Sequence, residues 1–184
     1  MNEQAVPSSI TNLGDYQIDC RELDEAAFKE RHGDLFFLHH GPIGKLNQAG
    51  DGQRTIALEG RGTSPGVPLD PRADFVVFRV PPKRQGALGD DLLWLGRSEE
   101  NDVVIPDVSV SAIHAFLRLD PDGRVLMHDS GSRNGTQVED EPVPSPGMGA
   151  PAVLESGARL VVGEVKLTFL RAAEFRSLIQ QLLG

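Results

Sequence analysis

Apolar and polar positions alternate with a period of two in two stretches of the chain. Ala115, Leu117 and Leu119 alternate with Phe116, Arg118 and Asp120, and Val165, Leu167 and Phe169 alternate with Lys166, Thr168 and Leu170. Side chains of a strand point alternately to its two faces, so this spacing predicts strands that differ on their two sides. Shorter apolar runs at Leu35–Leu38, Phe75–Val80, Leu92–Leu95, Val103–Ile105, Val125–His128 and Arg159–Val162 predict further strands. Turn chemistry separates them: Pro81-Pro82, Pro106, Asp122-Gly123 and Gly163-Glu164. Many short strands with such punctuation predict a two-sheet β-sandwich. The pattern lacks an internal repeat, which argues against a propeller or solenoid.

Two segments read as helix. Asp24 to Arg31 has Asp24 as N-cap, Leu23 placed to pack on Phe28, and Gly33 as a left-handed stop. At the other end, Phe175, Leu178, Ile179 and Leu182 fall at i, i+3, i+4 and i+7, one face of a helix. That face predicts docking on its own domain, with contact to a second subunit as the alternative. Residues 1–18 read as a loose arm, residues 140–151 as a long exposed loop, and Thr55–Leu58 as a weak strand. The expected organisation is an N-terminal extension (1–73), a β-sandwich domain (74–170) and a C-terminal amphipathic helix (171–184). The fold class is mainly β, with a small α/β contribution from the extension.

The chain of 184 residues is 39% hydrophobic and 24% charged, with net charge −9. Clustered Lys and Arg, which a nucleic-acid backbone or an anionic membrane requires, are missing. Cys20 is the single cysteine, so no internal disulfide can form. No apolar run reaches membrane-spanning length, and a cytoplasmic location follows by elimination. These features predict no cofactor, no nucleic-acid partner and no membrane partner.

The candidate chemistry is concentrated between Gly96 and Thr136. Three loops carry Arg97, Ser111, Arg133 and Asn134, two guanidinium forks, a hydroxyl and an amide. In an acidic segment, that set fits one tetrahedral phosphate on a peptide. Ser111, His114 and Asp129 also permit a hydrolase reading, but no Gly-x-Ser-x-Gly turn exists to present the serine. His39 and His40, with His32 and Cys20 upstream, permit a metal reading. Neighbouring strand residues face opposite ways, so a shared ion is disfavoured. Gly41 to Lys45 lacks the spacing of a phosphate loop and is set aside.

The blocks Gly96-Arg97-Ser98 with Asn101-Asp102, Ser111-Ala112-Ile113-His114-Ala115, and Asp129 through Ser132-Arg133-Asn134-Gly135-Thr136 resemble those of forkhead-associated (FHA) domains. Leu154, Gly157 and Leu160–Gly163 resemble the closing hairpin of that family. The resemblance covers about residues 75–170 and implies an FHA-like two-sheet β-sandwich that binds phosphothreonine peptides without catalysis. It implies that Arg97 and Ser111 hold the phosphate, that Arg133 adds a contact, and that Asn134 bonds the peptide backbone. Ser109 is expected in the loop that reads peptide side chains, and Gly96, His114, Gly135 and Thr136 as architectural support. The implied partner is a phosphothreonine-bearing protein, a Ser/Thr kinase or its substrate. Ala112 stands where family members frequently carry Arg, Asn or Lys, so one donor is missing. The rival expectation is a scaffold that keeps the fold and docks an unphosphorylated partner through strand edges or the C-terminal helix, and self-association through that helix is a separate expectation.

Overall fold

A computed structural model describes residues 10–40, 75–80 and 92–183. The expected Thr55–Leu58 strand, the Pro81-Pro82 stop, the Gly41–Lys45 segment and residues 1–9 of the expected arm lie outside these residues. The chain forms β1 (Ile10–Asn12), a 3-10 turn (Leu13–Tyr16), α1 (Gln17–Glu22), α2 (Glu25–His32), β2 (Leu35–His40) and β3 (Phe75–Arg79). There follow β4 (Leu92–Gly96), β5 (Val103–Val104), β6 (Ala115–Leu119), β7 (Val125–Asp129), β8 (Thr136–Val138) and β9 (Glu141–Pro142). The chain closes with β10 (Ala152–Leu154), β11 (Arg159–Val162), β12 (Val165–Arg171) and α3 (Ala172–Leu183).

Two sheets face each other, as the alternation predicts. One has seven strands in the order β1-β3-β2-β12-β11-β8-β9, the other five in the order β10-β7-β6-β4-β5. All pairs are antiparallel except β4 with β5. Between the sheets lies a core that includes Leu95, Leu117, Met127, Leu160, Leu167 and Phe169. β2 lies between β3 and β12, so the larger sheet draws on residues from both sides of position 74.

The run Leu35-Phe36-Phe37-Leu38 is apolar throughout because β2 is covered on both faces. Leu35 and Phe37 enter the core between the sheets, whereas Phe36 and Leu38 enter a second core under the helices. Val77 and Leu170 join that second core, along with Leu13, Tyr16, Cys20, Phe28, Phe175 and Ile179. The molecule therefore has three layers: five-stranded sheet, seven-stranded sheet, and helices. Phe36 and Phe175 stack with centroids 4.2 Å apart, and Tyr16 meets Phe175 edge-on at 5.0 Å. Arg176 lies over the Phe28 ring at 5.5 Å and donates to Leu23 O at the end of α1. Gln180 donates to Cys20 O at 3.2 Å, and Gln17 to Leu183 O at 2.8 Å, tying α1 to α3. Burial raises the pKa of both Tyr16 and Cys20.

The helix at Glu25–His32 forms with the expected cap: Asp24 Oδ1 accepts from Ala27 N at 2.8 Å, and Gly33 has φ 87°. Leu23 packs into the same core as Phe28. Two expectations require correction. Residues 10–18 are an ordered part of the fold instead of a loose arm. β1 pairs with β3, and Leu13 and Tyr16 are buried in the second core. Their apolar residues are too few to show a period, and what orders them is contact with α3 at the far end of the chain. Within 140–151, Glu141–Pro142 forms an edge strand on β8. Glu139 and Asp140 form the intervening turn with φ of 50° and 68°. Glu rarely announces such a turn, although Asp does, and here Arg159 Nη2 pairs with both, at 2.9 and 3.3 Å. Proline is tolerated because β9 is at the sheet edge.

Candidate functional site

Arg97, Ser111, Arg133 and Asn134 lie on loops at the ends of β4, β6, β7 and β8, and backbone geometry brings them together. Arg97 N donates to Ser111 O at 2.9 Å, and Ser98 N to Ala112 O at 3.1 Å. This close approach requires Gly96, since a Cβ there would stand 2.3 Å from Ala112 O. Asn101 is buried and its Nδ2 donates to both Ser98 O and Ala112 O at 2.7 Å. Arg97 Nε donates to Val110 O at 3.2 Å, which fixes the inner edge of the guanidinium. Among the described residues its terminal Nη groups have no other partner.

Ser111 is where the first and third loops meet. Its Oγ accepts from Arg133 N at 3.0 Å, so the hydroxyl proton remains to be donated elsewhere. Its own N–H donates to His114 Nδ1 at 3.0 Å. With Nδ1 accepting, the His114 proton is on Nε2, which donates to Gly135 O at 3.0 Å. His114 is fully buried, and burial lowers its pKa despite the bond to Gly135 and the nearby Asp129 carboxylate. A neutral imidazole thus ties the Ser111 loop to the Gly135 loop. With both ring nitrogens committed to backbone, His114 makes no relay with Ser111 Oγ and Asp129.

The third loop is built on Asp129, which is 5% exposed. Its Oδ1 accepts from Ser132 N at 2.8 Å, and its Oδ2 from Ser132 Oγ at 2.6 Å and Thr136 Oγ1 at 2.7 Å. Burial pushes the Asp129 pKa up, but the donors from Ser132, Thr136 and Gly131 outweigh it and hold the carboxyl below its usual range. Gly135 has φ 79°, which a side chain would strain, and its N–H donates to Ser132 Oγ at 3.0 Å. The loop so held presents Arg133 and Asn134 to solvent. The Arg133 guanidinium has no partner among the described residues, and Asn134 Nδ2 donates to Ser109 O at 2.7 Å.

Ser109 is placed differently from the expectation. It is 7% exposed, its Oγ donates to Asp107 Oδ1 at 2.7 Å and accepts from Glu164 N at 2.9 Å. The hydroxyl is therefore used inside the fold, and only its carbonyl reaches toward the site. Asp107 is also buried, so of the acids near the site in sequence, Glu99 and Glu100 are the solvent-facing ones. The supporting roles of Asn101, Asp107 and Gly163 were not recognised in the sequence. Asn101 and Gly163 stood in blocks shared with the family, and for Asp107 the signal was a small polar residue two positions on, a spacing common to many turns. Among the described residues, no group of His, Cys, Asp and Glu could hold a metal, and no helix is long and apolar enough to cross a membrane.

The FHA domain family profile matches residues 93–163, the stretch that carries all three loops. Together with the relatives below, this shows that the chain belongs to the FHA-domain family. It is 36% identical over 124 residues to the glycogen accumulation regulator GarA of Mycobacterium tuberculosis, covering 67% of this chain and 68% of that protein. It is 41% identical over 75 residues to GarA of Mycolicibacterium smegmatis, covering 41% of this chain and 43% of the relative. It is 39% identical over 75 residues to the oxoglutarate dehydrogenase inhibitor of Corynebacterium efficiens, covering 41% and 48% of the two chains. The chain thus spans less than half of the last two relatives.

Proposed function

We propose that this chain is a non-catalytic module that binds a phosphothreonine peptide and acts downstream of a Ser/Thr kinase in the cytoplasm. The observation that carries this reading is the state of Ser111. Its oxygen accepts from Arg133 N–H, which leaves its proton to donate, and the Arg97 guanidinium is clamped to the preceding residue's carbonyl, Val110 O. A phosphate dianion is strongly hydrated and is bound only where several fixed donors replace its water together. Each charge-assisted bond contributes about 1.5–3 kcal/mol net. Micromolar affinity corresponds to about 8 kcal/mol, so both arginines and Ser111 must act together, with more than one bond from each guanidinium fork, to exceed the cost of ordering the peptide. Asn134 would bond the peptide backbone next to the phosphothreonine.

The relatives named as a glycogen accumulation regulator and a dehydrogenase inhibitor support a regulatory role in which the bound partner is an enzyme or a kinase. Ala112, which is exposed and offers no side-chain donor, favours one second reading: docking of an unphosphorylated partner on the same fold. An oriented phosphothreonine-peptide library presented to wild type and to Arg97→Ala separates the two. Selective capture of phosphorylated peptides, lost in the variant, supports recognition. Equal capture of unphosphorylated peptides supports docking. Glu in place of phosphothreonine has half the charge and a planar head, and should not bind.

A further inference from the structure

We propose that the Gly163-Glu164 turn and Ser109 form a positioning device that aims Asn134 at the peptide backbone, separately from the grip on phosphate. This rests on the reading of the site as a phosphothreonine-peptide clamp. An exposed asparagine rotates freely about two side-chain bonds, and it can define a peptide's register only when its amide is held. Here one Nδ2 proton is held by Ser109 O at 2.7 Å, which leaves the other proton and Oδ1 for a ligand.

Ser109 is in turn fixed through its backbone N–H and both functions of its hydroxyl. Its N–H and O–H both go to Asp107 Oδ1, at 2.8 and 2.7 Å, and its Oγ accepts from Glu164 N. The turn between β11 and β12 presses directly on it. Gly163 has φ 65°, and a Cβ there would stand 2.6 Å from Ser109 O and 2.8 Å from Ser109 Oγ. Gly163 N also donates to Gly135 O at 3.1 Å, so the turn reaches both Ser109, which holds the Asn134 amide, and the residue that follows Asn134. The groups proposed to bind phosphate are held chiefly by other atoms, Arg97 by Val110 O and Ser111 by Arg133 N and His114, with Gly135 O the one acceptor that His114 shares with Gly163 N. Ser109 and Gly163 are therefore positioning residues for the register of the peptide, and neither touches it through its side chain.

A double-mutant cycle on the full chain tests this. The probes are the tightest phosphothreonine peptide from the oriented library, its unphosphorylated form, and free phosphothreonine, with thermal melting as the folding control. Ser109→Ala should weaken the phosphopeptide about fivefold to tenfold and free phosphothreonine less than about twofold. In an Asn134→Ala background the same substitution should cost less than about twofold, because the group through which it acts is gone. Gly163→Ala should follow the same pattern with a larger loss, and Ser109→Ala serves alone if that variant does not fold. Equal losses against both phosphorylated probes, or equal losses with and without Asn134, would reduce these residues to general supports and overturn the proposal. Wild type that fails to prefer the phosphorylated peptide overturns the proposed function, and the positioning role with it. Phosphopeptide binding that is intact in Ser109→Ala overturns the positioning role alone.

Discussion

The two ends of this molecule are held by different forces. At the site, loops without regular structure are fixed by polar groups that each have an assigned partner: Asp129 with Ser132 and Thr136, His114 with Ser111 and Gly135, Asn101 with Ser98 and Ala112. Under the helices, Tyr16, Phe28, Phe36 and Phe175 are fixed chiefly by ring packing, with polar ties such as Gln180 to Cys20 O and Arg176 to Leu23 O bracing the helices around them. Hydrogen bonds are directional and define loop shape to a few tenths of an ångström, whereas apolar burial is strong and tolerant of direction. A binding site needs the former and a stable scaffold the latter. The comparison implies that stability and ligand affinity can be altered independently here.

The largest effect should come from the helical layer. Phe175→Ala removes a fully buried ring that stacks on Phe36, and should cost about 3–5 kcal/mol of stability by denaturant unfolding. At temperatures where the variant remains folded, its phosphopeptide affinity should match wild type within about twofold. A large loss of affinity would show that the two ends are coupled. Next, Arg97→Ala should weaken phosphopeptide binding about a hundredfold in calorimetric titration, with little change in melting temperature, since the side chain is exposed. Arg97→Lys keeps the charge but loses the Nε bond to Val110 and the planar fork, and should recover only a small part of that loss.

Asp129→Asn should affect both properties and so sharpens the comparison. It removes the charge that accepts from Ser132 and Thr136, at a cost of about 1.5–3 kcal/mol in stability, and it loosens the loop that carries Arg133 and Asn134. The smallest effect is that of pH. Burial lowers the pKa values of His114 and His128, in the latter case with help from Arg118. Below about pH 6.5 the unfolded chain therefore takes up protons that the folded chain refuses. Stability should be level above that pH and fall as acid is added through pH 6 to 5. In His128→Gln the slope should be shallower but still present, since His114 still contributes. A melting temperature that rises over the same interval would contradict the neutral imidazole at the centre of the site.

The same contrast explains what the sequence made legible. The sandwich could be read because strands with two unlike faces alternate, as 115–120 and 165–170 do. The groups proposed to bind phosphate could be picked out because they stand on turns in blocks that resemble those of the family. Ser109 also looked like a loop residue, but its hydroxyl is consumed by Asp107 and Glu164, and nothing local distinguishes a serine that turns inward from one that turns outward. In the helical layer, α2 with its cap and the docking face of α3 could be read, but the partners of that face could not. Phe36-Phe37 announces a strand buried on both sides, but the rings that cover Phe36 come from Tyr16, Phe28 and Phe175, contacts that no local pattern encodes. The β8–β9 turn was hidden for a related reason, since Glu139 is an uncommon residue at positive φ and its partner, Arg159, is distant in the chain.

The most direct test is an amide chemical-shift titration of the full chain with a library-selected phosphothreonine peptide. Saturable shifts should concentrate on Arg97, Ser111, Arg133, Asn134 and Gly135, leave Phe36 and Phe175 unmoved, and vanish with the unphosphorylated peptide. Shifts that spare those loops, or that are equal for both peptides, would contradict a phosphate-dependent site at this end of the sandwich.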